Sequence, residues 1–293
     1  GAAAAMAAEA EVGLRQIDIR ALQKHLIEIG NLPESVLTDE DSLPLPPEQV
    51  AAAVEIVKER DEKASEEKIR QRAKAAAVLL AHPDQALPLL RKAYKAATQP
   101  EPKLIYAHIL AVLGDGAGLE TIAAEVERAD AWDEGWNYRG MGQFGTAFSR
   151  LDQLIVALGR TGDPRAVPVI VDKAKLLTTE SDFSHHRAVG LALELIGARA
   201  AAPPLAELLT QPGMTGYVHN SVEEARRRDQ EDSGGTVGVK TRRDSLRELL
   251  LARALYRCGD YGGVGKQILS SYTRDLRGHL ARHAKAVLDT DSK

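Results

Sequence analysis

Apolar residues recur at the spacing of an α-helix in five segments of the chain, and a short polar break divides each segment in two. The pattern therefore predicts five pairs of helices, each pair joined by a tight turn. The clearest apolar stripe is formed by Leu151, Leu154, Ile155 and Leu158, which share one helical face. The five segments begin at Lys74, Leu104, Leu151, His186 and Leu246.

The breaks have a composition that suits tight turns between helices: HPDQA, GDGAG, GRTGDPRA, GARAA and GDYGG. In four of them a glycine follows the first helix, where a left-handed residue ends a helix without steric cost. An aspartate in four of them is placed to accept hydrogen bonds from free amides of the second helix. The glycines are Gly114, Gly159, Gly197 and Gly259, and the aspartates are Asp84, Asp115, Asp163 and Asp260.

Helix pairs that repeat along a chain are typical of a solenoid, because one pair cannot bury its apolar stripe alone. The turns lie roughly 30 to 60 residues apart, around the 40 to 47 residues of HEAT and armadillo repeats. We therefore predict an all-α fold, a HEAT/armadillo-like right-handed α–α superhelix over residues 70–293. Two insertions, at 130–149 and 212–243, interrupt this array.

The first 69 residues differ from the array. Residues 1–12 are rich in alanine and predict a disordered tail or a cloning remnant. Residues 13–69 predict N-terminal helices and a Pro-rich connector, with one helix over residues 18–29 that is stopped by Gly30.

Composition and charge narrow the classes of function. Aromatic residues make up 4% of the chain, and the formal net charge of −4 argues against nucleic acid and anionic membranes as partners. The single cysteine, Cys258, excludes an intramolecular disulfide and a cysteine metal cluster. The sequence shows neither a signal-peptide pattern nor an apolar run of the roughly 20 residues that a membrane helix needs. The cellular location therefore stays unknown.

Residues 135–145, GWNYRGMGQFG, contain the spacing G-x-G-x-x-G at Gly140, Gly142 and Gly145. In a dinucleotide-binding fold a buried strand precedes the first glycine of this motif. Here the preceding residues, RADAWDEGWNYR, are polar and aromatic. We therefore expect a glycine-rich loop before a repeat helix, with no cofactor-binding residue in it.

The same loop is unusually rich in large side chains that favour protein contacts. We identify it as a candidate contact surface, and a local mini-core is the equal alternative. The candidate residues are Trp132, Trp136, Tyr138, Arg139 and Phe144.

A polar cluster at a predicted helix start consists of Asp182, His185, His186 and Arg187. Asp182, or the nearby Ser184, is a natural helix cap, which by itself explains its presence. The functional alternative makes His185 or His186 a general base, which would need a nucleophile and an orienting acid within reach. The sequence does not show that geometry, so we assign no catalytic residue.

Two further segments are weaker candidates for a functional site. Asp275, His279 and His283 are spaced i, i+4, i+8 and could line one helical face as metal ligands, but Leu280 occupies the place of the catalytic glutamate in the metalloprotease pattern. We therefore assign no metal site. The second insertion has basic residues that neighbouring acidic residues nearly cancel, and a disordered loop is expected there.

Several short stretches resemble the C-terminal region of a family of bacterial FAD-dependent oxidoreductases that carry a helical repeat tail after the flavin domain. They are IDIRALQKHLIEIG, GWNYRGMGQFG, LDQLIVALGRTGD, FSHHRAVGLALELIG, LLTQPGMTGY, RALYRCGDYGG and SYTRDLRGHLARHAKAVL. The resemblance implies that FAD is bound by a part of the parent protein that precedes this chain. It assigns no cofactor contact and no catalytic residue to the chain itself.

Three functions are consistent with the sequence. The leading hypothesis is a non-catalytic repeat scaffold that packs on the flavin domain of its own polypeptide or recruits a protein partner. The second is an independent enzyme with a site on the concave face around His185, His186 and the 135–145 loop. The third is a stand-alone HEAT-repeat adaptor.

Overall fold

Helices account for 72% of the chain in a computed structural model of the protein, which has fifteen α-helices and no strand among its described residues. The structure describes residues 1–38, 45–59, 65–137, 148–231 and 239–290. The prediction of an all-α fold is confirmed.

The helices follow one another in a simple order, and 3-10 turns precede several of them. They are α1 (Ala2–Glu9), α2 (Ile19–Glu28), α3 (Pro47–Val57), α4 (Glu66–Ala81), α5 (Pro83–Ala96), α6 (Pro100–Val112), α7 (Leu119–Arg128), α8 (Arg150–Arg160), α9 (Val167–Ala174), α10 (Phe183–Ile196), α11 (Ala202–Thr210), α12 (Val222–Glu231), α13 (Val239–Arg257), α14 (Val264–Tyr272) and α15 (Gly278–Thr290).

The chain divides into two compact units, Gly1–Pro46 and Pro47–Lys293. The sequence placed the start of the array at residue 70, whereas the structure groups α3 with the helices that follow it. The reason is that α3 packs on α4 and α5 and buries Val50, Val54 and Val57.

The first unit contains α1 and α2, which contact each other. Ala2–Glu9 is helical, so the structure differs from the expected disordered tail over residues 1–12; an alanine run has the highest intrinsic helix propensity. The helix expected over residues 18–29 is present as α2. The Asp18 carboxylate accepts hydrogen bonds from the amides of Arg20 and Ala21, and Gly30 follows with φ of 75°.

The second unit repeats one packing arrangement. Five helix pairs succeed one another, namely α4–α5, α6–α7, α8–α9, α10–α11 and α13–α14. The second helix of each pair packs against the first helix of the next pair, and α14 packs against α15. The first helices α6, α8, α10 and α13 also contact one another in sequence. Each pair is therefore held mainly by its neighbours.

A large apolar cluster in the second unit extends from Ala107 to Val287. The predicted stripe of α8 is buried in it, since Leu151, Leu154, Ile155 and Leu158 are each at most 5% exposed. Small residues let the helices approach closely. A Cβ on Gly159 of α8 would lie 2.3 Å from Cα of Ala192 of α10.

The turn glycines follow the prediction at three of four positions. Gly114, Gly197 and Gly259 have left-handed backbones with φ between 65° and 97°. Gly159 was expected to do the same and does not, because α8 continues through it to Arg160. Gly162 has the left-handed conformation in that turn instead, with φ of 65°.

Three of the four turn aspartates accept hydrogen bonds from amides at the start of the second helix. Asp115 bonds Ala117 N at 2.7 Å and Asp163 bonds Arg165 N at 2.9 Å. Asp260 bonds Gly265 N at 2.9 Å. Asp84 lies inside the first turn of α5.

The second insertion is more ordered than the sequence suggested. The expected disordered loop contains α12, and α13 begins within it at Val239. The Ser221 hydroxyl accepts a hydrogen bond from Glu224 N at 3.1 Å, which caps α12. Acidic residues in the first turn and Arg228 in the last turn complement the helix dipole.

Replacing Gly159 with alanine should destabilise the second unit. The new methyl group collides with the Ala192 backbone, and this overpacking outweighs the about 1 kcal/mol that alanine gains over glycine in a helix. We expect a loss of about 2 kcal/mol in the free energy of unfolding, measured by urea titration with circular dichroism. Gly116→Ala is the control, because its Cβ would meet only Asp163 Oδ2 at 3.9 Å. Equal losses in both variants would contradict the close approach of α8 and α10.

Candidate functional site

The segment after α7 docks against the start of α10. Gly135 N donates to Asp182 Oδ2 at 2.9 Å, and the Asn137 side-chain amide also donates to the Asp182 carboxylate. Phe183 N donates to Asn137 Oδ1 at 2.8 Å. Trp136 N donates to Ser184 Oγ at 2.9 Å, and Ser184 N donates to Trp136 O at 3.0 Å. We call residues 132–137, Asp152 and residues 182–185 the α8–α10 joint.

Asp182 occupies the N-cap position of α10, as the sequence suggested for it or for Ser184. Its side chain, however, makes no capping bond within the helix. The carboxylate instead accepts bonds from the segment that precedes α8 in the chain. The role of Asp182 is therefore to hold two distant parts of the chain together.

His185 lies at the centre of the joint and is 2% exposed. Its Nδ1 is 2.8 Å from Asp152 Oδ1, and the Trp132 ring stacks on the imidazole with 4.4 Å between ring centroids. A Cβ on Gly135 would lie 2.6 Å from His185 Cε1, so only glycine fits beside the ring. His185 Nε2 is 3.9 Å from Asp182 Oδ2.

Asp152 reaches His185 from the first turn of α8 and is fully buried. Burial alone would raise the pKa of its carboxyl. Hydrogen bonds from the His185 ring, the Ser184 hydroxyl and the Ser149 amide outweigh burial and lower that pKa below its ordinary value of 3.8. The carboxylate is therefore held ionised inside the joint.

His186 is fully buried in different surroundings. Its Nδ1 is 3.2 Å from the Asp182 carbonyl oxygen. Burial, followed by the positive charge of Arg247, lowers the pKa of His186 to about 3. The imidazole is therefore neutral at physiological pH.

Arg187, like Asp182, is a partly exposed member of the predicted polar cluster. Its guanidinium lies over the Phe148 ring, with 4.7 Å from Cζ to the ring centroid. It also lines a groove of about 410 Å³ between α10, α13 and α15, which we call the α10 groove. Arg187 thus lines a surface groove, whereas His185 and His186 are buried.

The α10 groove contains two of the residues that were weighed as metal ligands. His279 and His283 line it from α15, and Arg253 Nη1 is 3.3 Å from His283 Nε2. Burial and the charges of Arg253 and Arg257 lower the pKa of His283, and Glu194 opposes this shift.

Asp275 does not join these histidines, because it precedes α15 and pairs with Arg277 at 2.7 Å. No group of three His, Cys, Asp or Glu side chains placed to hold a metal ion was found among the described residues.

The candidate contact surface falls in two parts. Trp132 and Trp136 are described, half-buried and packed on His185 and Phe183 of α10. Tyr138, Arg139 and Phe144 lie outside the described residues, as do Gly140, Gly142 and Gly145. The two tryptophans thus form part of a local core.

A second buried network was missed by the sequence analysis. Glu248 of α13 accepts hydrogen bonds from Gly216 N, Tyr217 N and the Tyr272 hydroxyl, at 2.8 to 2.9 Å. Arg277 donates to the Tyr217 carbonyl at 2.7 Å. The network fastens the segment after α11 to α13 and to the start of α15. The stretches PGMTGY and RDLRGH contain Gly216, Tyr217 and Arg277, and no local spacing links these residues to Glu248.

The arrangement favours structure over catalysis. A general base must reach a proton on a substrate, and His185 and His186 are 2% and 0% exposed. Ser184 is also fully buried, and its hydroxyl accepts a hydrogen bond from the Trp136 amide. The solvent-facing chemistry beside them is supplied by Arg187 and the α10 groove.

Comparisons of the chain with protein-family models, with curated proteins and with solved structures found no match. No described helix combines the length and apolar character needed to cross a membrane. Conclusions about function therefore depend on the geometry of the chain.

Asp152→Asn should destabilise the fold, because the buried His185 ring and the Ser149 amide lose their carboxylate acceptor. We expect a loss of about 2 to 3 kcal/mol in the free energy of unfolding near pH 7. The folded pKa of Asp152 is lowered, so this contribution is present above pH 3.8 and is lost as the pH falls through the folded pKa. The exposed Asp172, changed to Asn, is the control in the same urea titrations. A loss as large for Asp172→Asn would contradict this role of Asp152.

His186→Asn should remove one source of acid sensitivity. The folded pKa of about 3 lies below the ordinary 6.5, so the unfolded chain binds a proton first as the pH falls. The His186 contribution then drops by about 1.4 kcal/mol per pH unit between about pH 6.5 and 3. Asparagine keeps a donor near the Asp182 carbonyl and does not titrate. The difference in unfolding free energy between the wild type and this variant should therefore change with pH in that window. A difference that stays flat across this window for His186→Asn would refute the assignment.

Proposed function

We propose that the chain is a non-catalytic helical-repeat scaffold whose pairs form a HEAT/armadillo-like, right-handed α–α superhelix. The observation that carries this proposal is the repeated packing of each second helix on the next first helix. In a solenoid each repeat contacts only its neighbours, and the resulting long surface is used to bind proteins.

A shared turn supports the repeat. In three successive pairs a three-residue 3-10 turn leads directly into the second helix. These turns are Gly116–Gly118, Pro164–Ala166 and Arg199–Ala201. The same local device at the same place in each pair is what an internally repeated architecture requires.

The partner that we favour is the flavin domain of the same polypeptide, as the resemblance to FAD-dependent oxidoreductases implies. Parts of three resembling stretches take part in the buried networks of the second unit. GWN belongs to the α8–α10 joint, and PGMTGY and RDLRGH belong to the Glu248 network. In this proposal FAD is bound outside the present chain. A stand-alone adaptor with a separate protein partner is the second candidate, since the same repeated packing of helix pairs would serve it.

The independent enzyme around His185 and His186 is less well supported. Both imidazoles are packed inside the protein, and the two oxygens of the Asp152 carboxylate are bonded to His185 and to the Ser149 amide.

Lysine cross-linking with mass spectrometry on the native protein from its source tests the scaffold. We expect lysines of the second unit, such as Lys74 and Lys285, to cross-link to one defined partner domain. A partner peptide with a dinucleotide-binding motif from the same polypeptide supports the flavoenzyme tail, and one from another protein supports the adaptor. Absence of any cross-link beyond this chain would overturn the scaffold.

Titration of the purified chain with FAD, followed by flavin fluorescence, tests the location of the cofactor. We expect no saturable quenching. Saturable quenching that is lost in Gly142→Val would place the cofactor in this chain and contradict the proposal.

A further inference from the structure

Two grooves on the second unit are lined by the same kind of helix. The α10 groove is lined by α10, α13 and α15, and a groove of about 340 Å³, which we call the α6 groove, is lined by α4, α6 and α8. Every lining residue comes from the first helix of a pair or from α15. The first helices therefore present one recurrent surface, and none of the second helices contributes to it.

Both grooves have apolar floors. Leucine and isoleucine side chains supply them: Leu104, Ile105, Ile109 and Leu154 in the α6 groove, and Leu246, Leu249, Leu250 and Leu280 in the α10 groove. A concave apolar surface of this kind suits the side chains of a bound peptide or helix.

The polar residues that line both grooves are basic or neutral, while Glu125 and Glu194 pair with two of the arginines, Arg150 and Arg253. Arg72, His108 and Arg150 line the α6 groove, and Arg187, Arg253, His279 and His283 line the α10 groove. Neither lining includes an Asp or Glu in the part of the chain that the structure describes. This is notable in a chain whose net charge is −4.

The arginines of the α10 groove are held in place. The Arg187 guanidinium rests on Phe148, and no ion pair of Arg187 is found among the described residues. Arg253 donates from Nε to Glu194 Oε2 at 2.8 Å, and Arg257 pairs with the same carboxylate. The contact with Glu194 fixes the position of the Arg253 guanidinium beside the groove.

We propose that the first-helix grooves bind a partner segment in which Asp or Glu side chains alternate with apolar ones. The inference rests on the proposed scaffold function and names the chemistry of its partner. Guanidinium groups donate paired hydrogen bonds to carboxylates in a planar, bidentate geometry. The apolar floors can contact the apolar side chains that lie between the acidic ones. Single-stranded nucleic acid would call for exposed aromatic rings on which bases stack; the groove linings include no Tyr or Trp in the described residues, and the lining Phe183 is buried.

Selection from a phage-displayed library of random 12-residue peptides on the immobilised chain tests this proposal. We expect the selected peptides to be enriched in Asp and Glu together with apolar residues, relative to the starting library. The best peptide is then measured by fluorescence anisotropy. Its affinity should fall about tenfold in Arg187→Gln or Arg150→Gln, and it should also fall with added salt.

Arg274→Gln is the matched control, because Arg274 is exposed and lines neither groove. It should leave the affinity unchanged, and circular dichroism should show that all three variants are folded. The proposal is overturned if no peptide is enriched, if the enriched peptides are neutral or basic, or if Arg274→Gln weakens binding equally. Displacement of the peptide by an oligonucleotide of equal affinity would overturn it in favour of a general polyanion site.

The two proposals can fail separately. A cross-linked partner without acidic selectivity in the library leaves the scaffold and removes this inference. If neither a cross-linked partner nor acidic selectivity is found, both the scaffold function and this inference are refuted.

Discussion

The close contact between α8 and α10 is the interaction on which most of the second unit depends. Gly159 lets the α8 backbone approach Ala192, and from the same helix Asp152 reaches the buried His185. Apolar packing and a buried carboxylate thus act at one interface. Because each pair packs mainly on its neighbours, a defect at this interface would separate the helices before it from those after it.

Buried polar joints give this apolar array its precise geometry. Stacked leucines and alanines tolerate small shifts between helices, whereas a fully bonded polar network permits few alternatives. Asp182 and Glu248 have the same structural role, since each carboxylate accepts hydrogen bonds from backbone amides of a distant segment. Replacing either partner alone would leave a buried charge or amide unsatisfied, which costs more than the net gain of the bond.

The joints also explain which chemistry the protein presents to solvent. His185 and His186, which could have acted as general bases, are buried by packing. Arg187 of the same helix and Arg253 of α13 line the α10 groove. Apolar floors bordered by guanidinium groups are suited to binding, because they offer contact area and charge recognition without a reactive group. The proposed scaffold function and the proposed acidic partner segment rest on this division.

The sequence by itself determined the helix pairs, the buried stripe of α8 and the left-handed glycines at three turns, because helical periodicity and turn chemistry are local properties of the chain. It did not determine that α8 would continue through Gly159 and that Gly162 would take the left-handed conformation, because Gly159 lies against Ala192 of α10, a contact that no local spacing records. Only the tertiary structure paired Asp152 with His185 and brought Arg187 beside Arg253. Such pairs join residues far apart in the chain, and their meeting depends on how the helices stack, which no local spacing records.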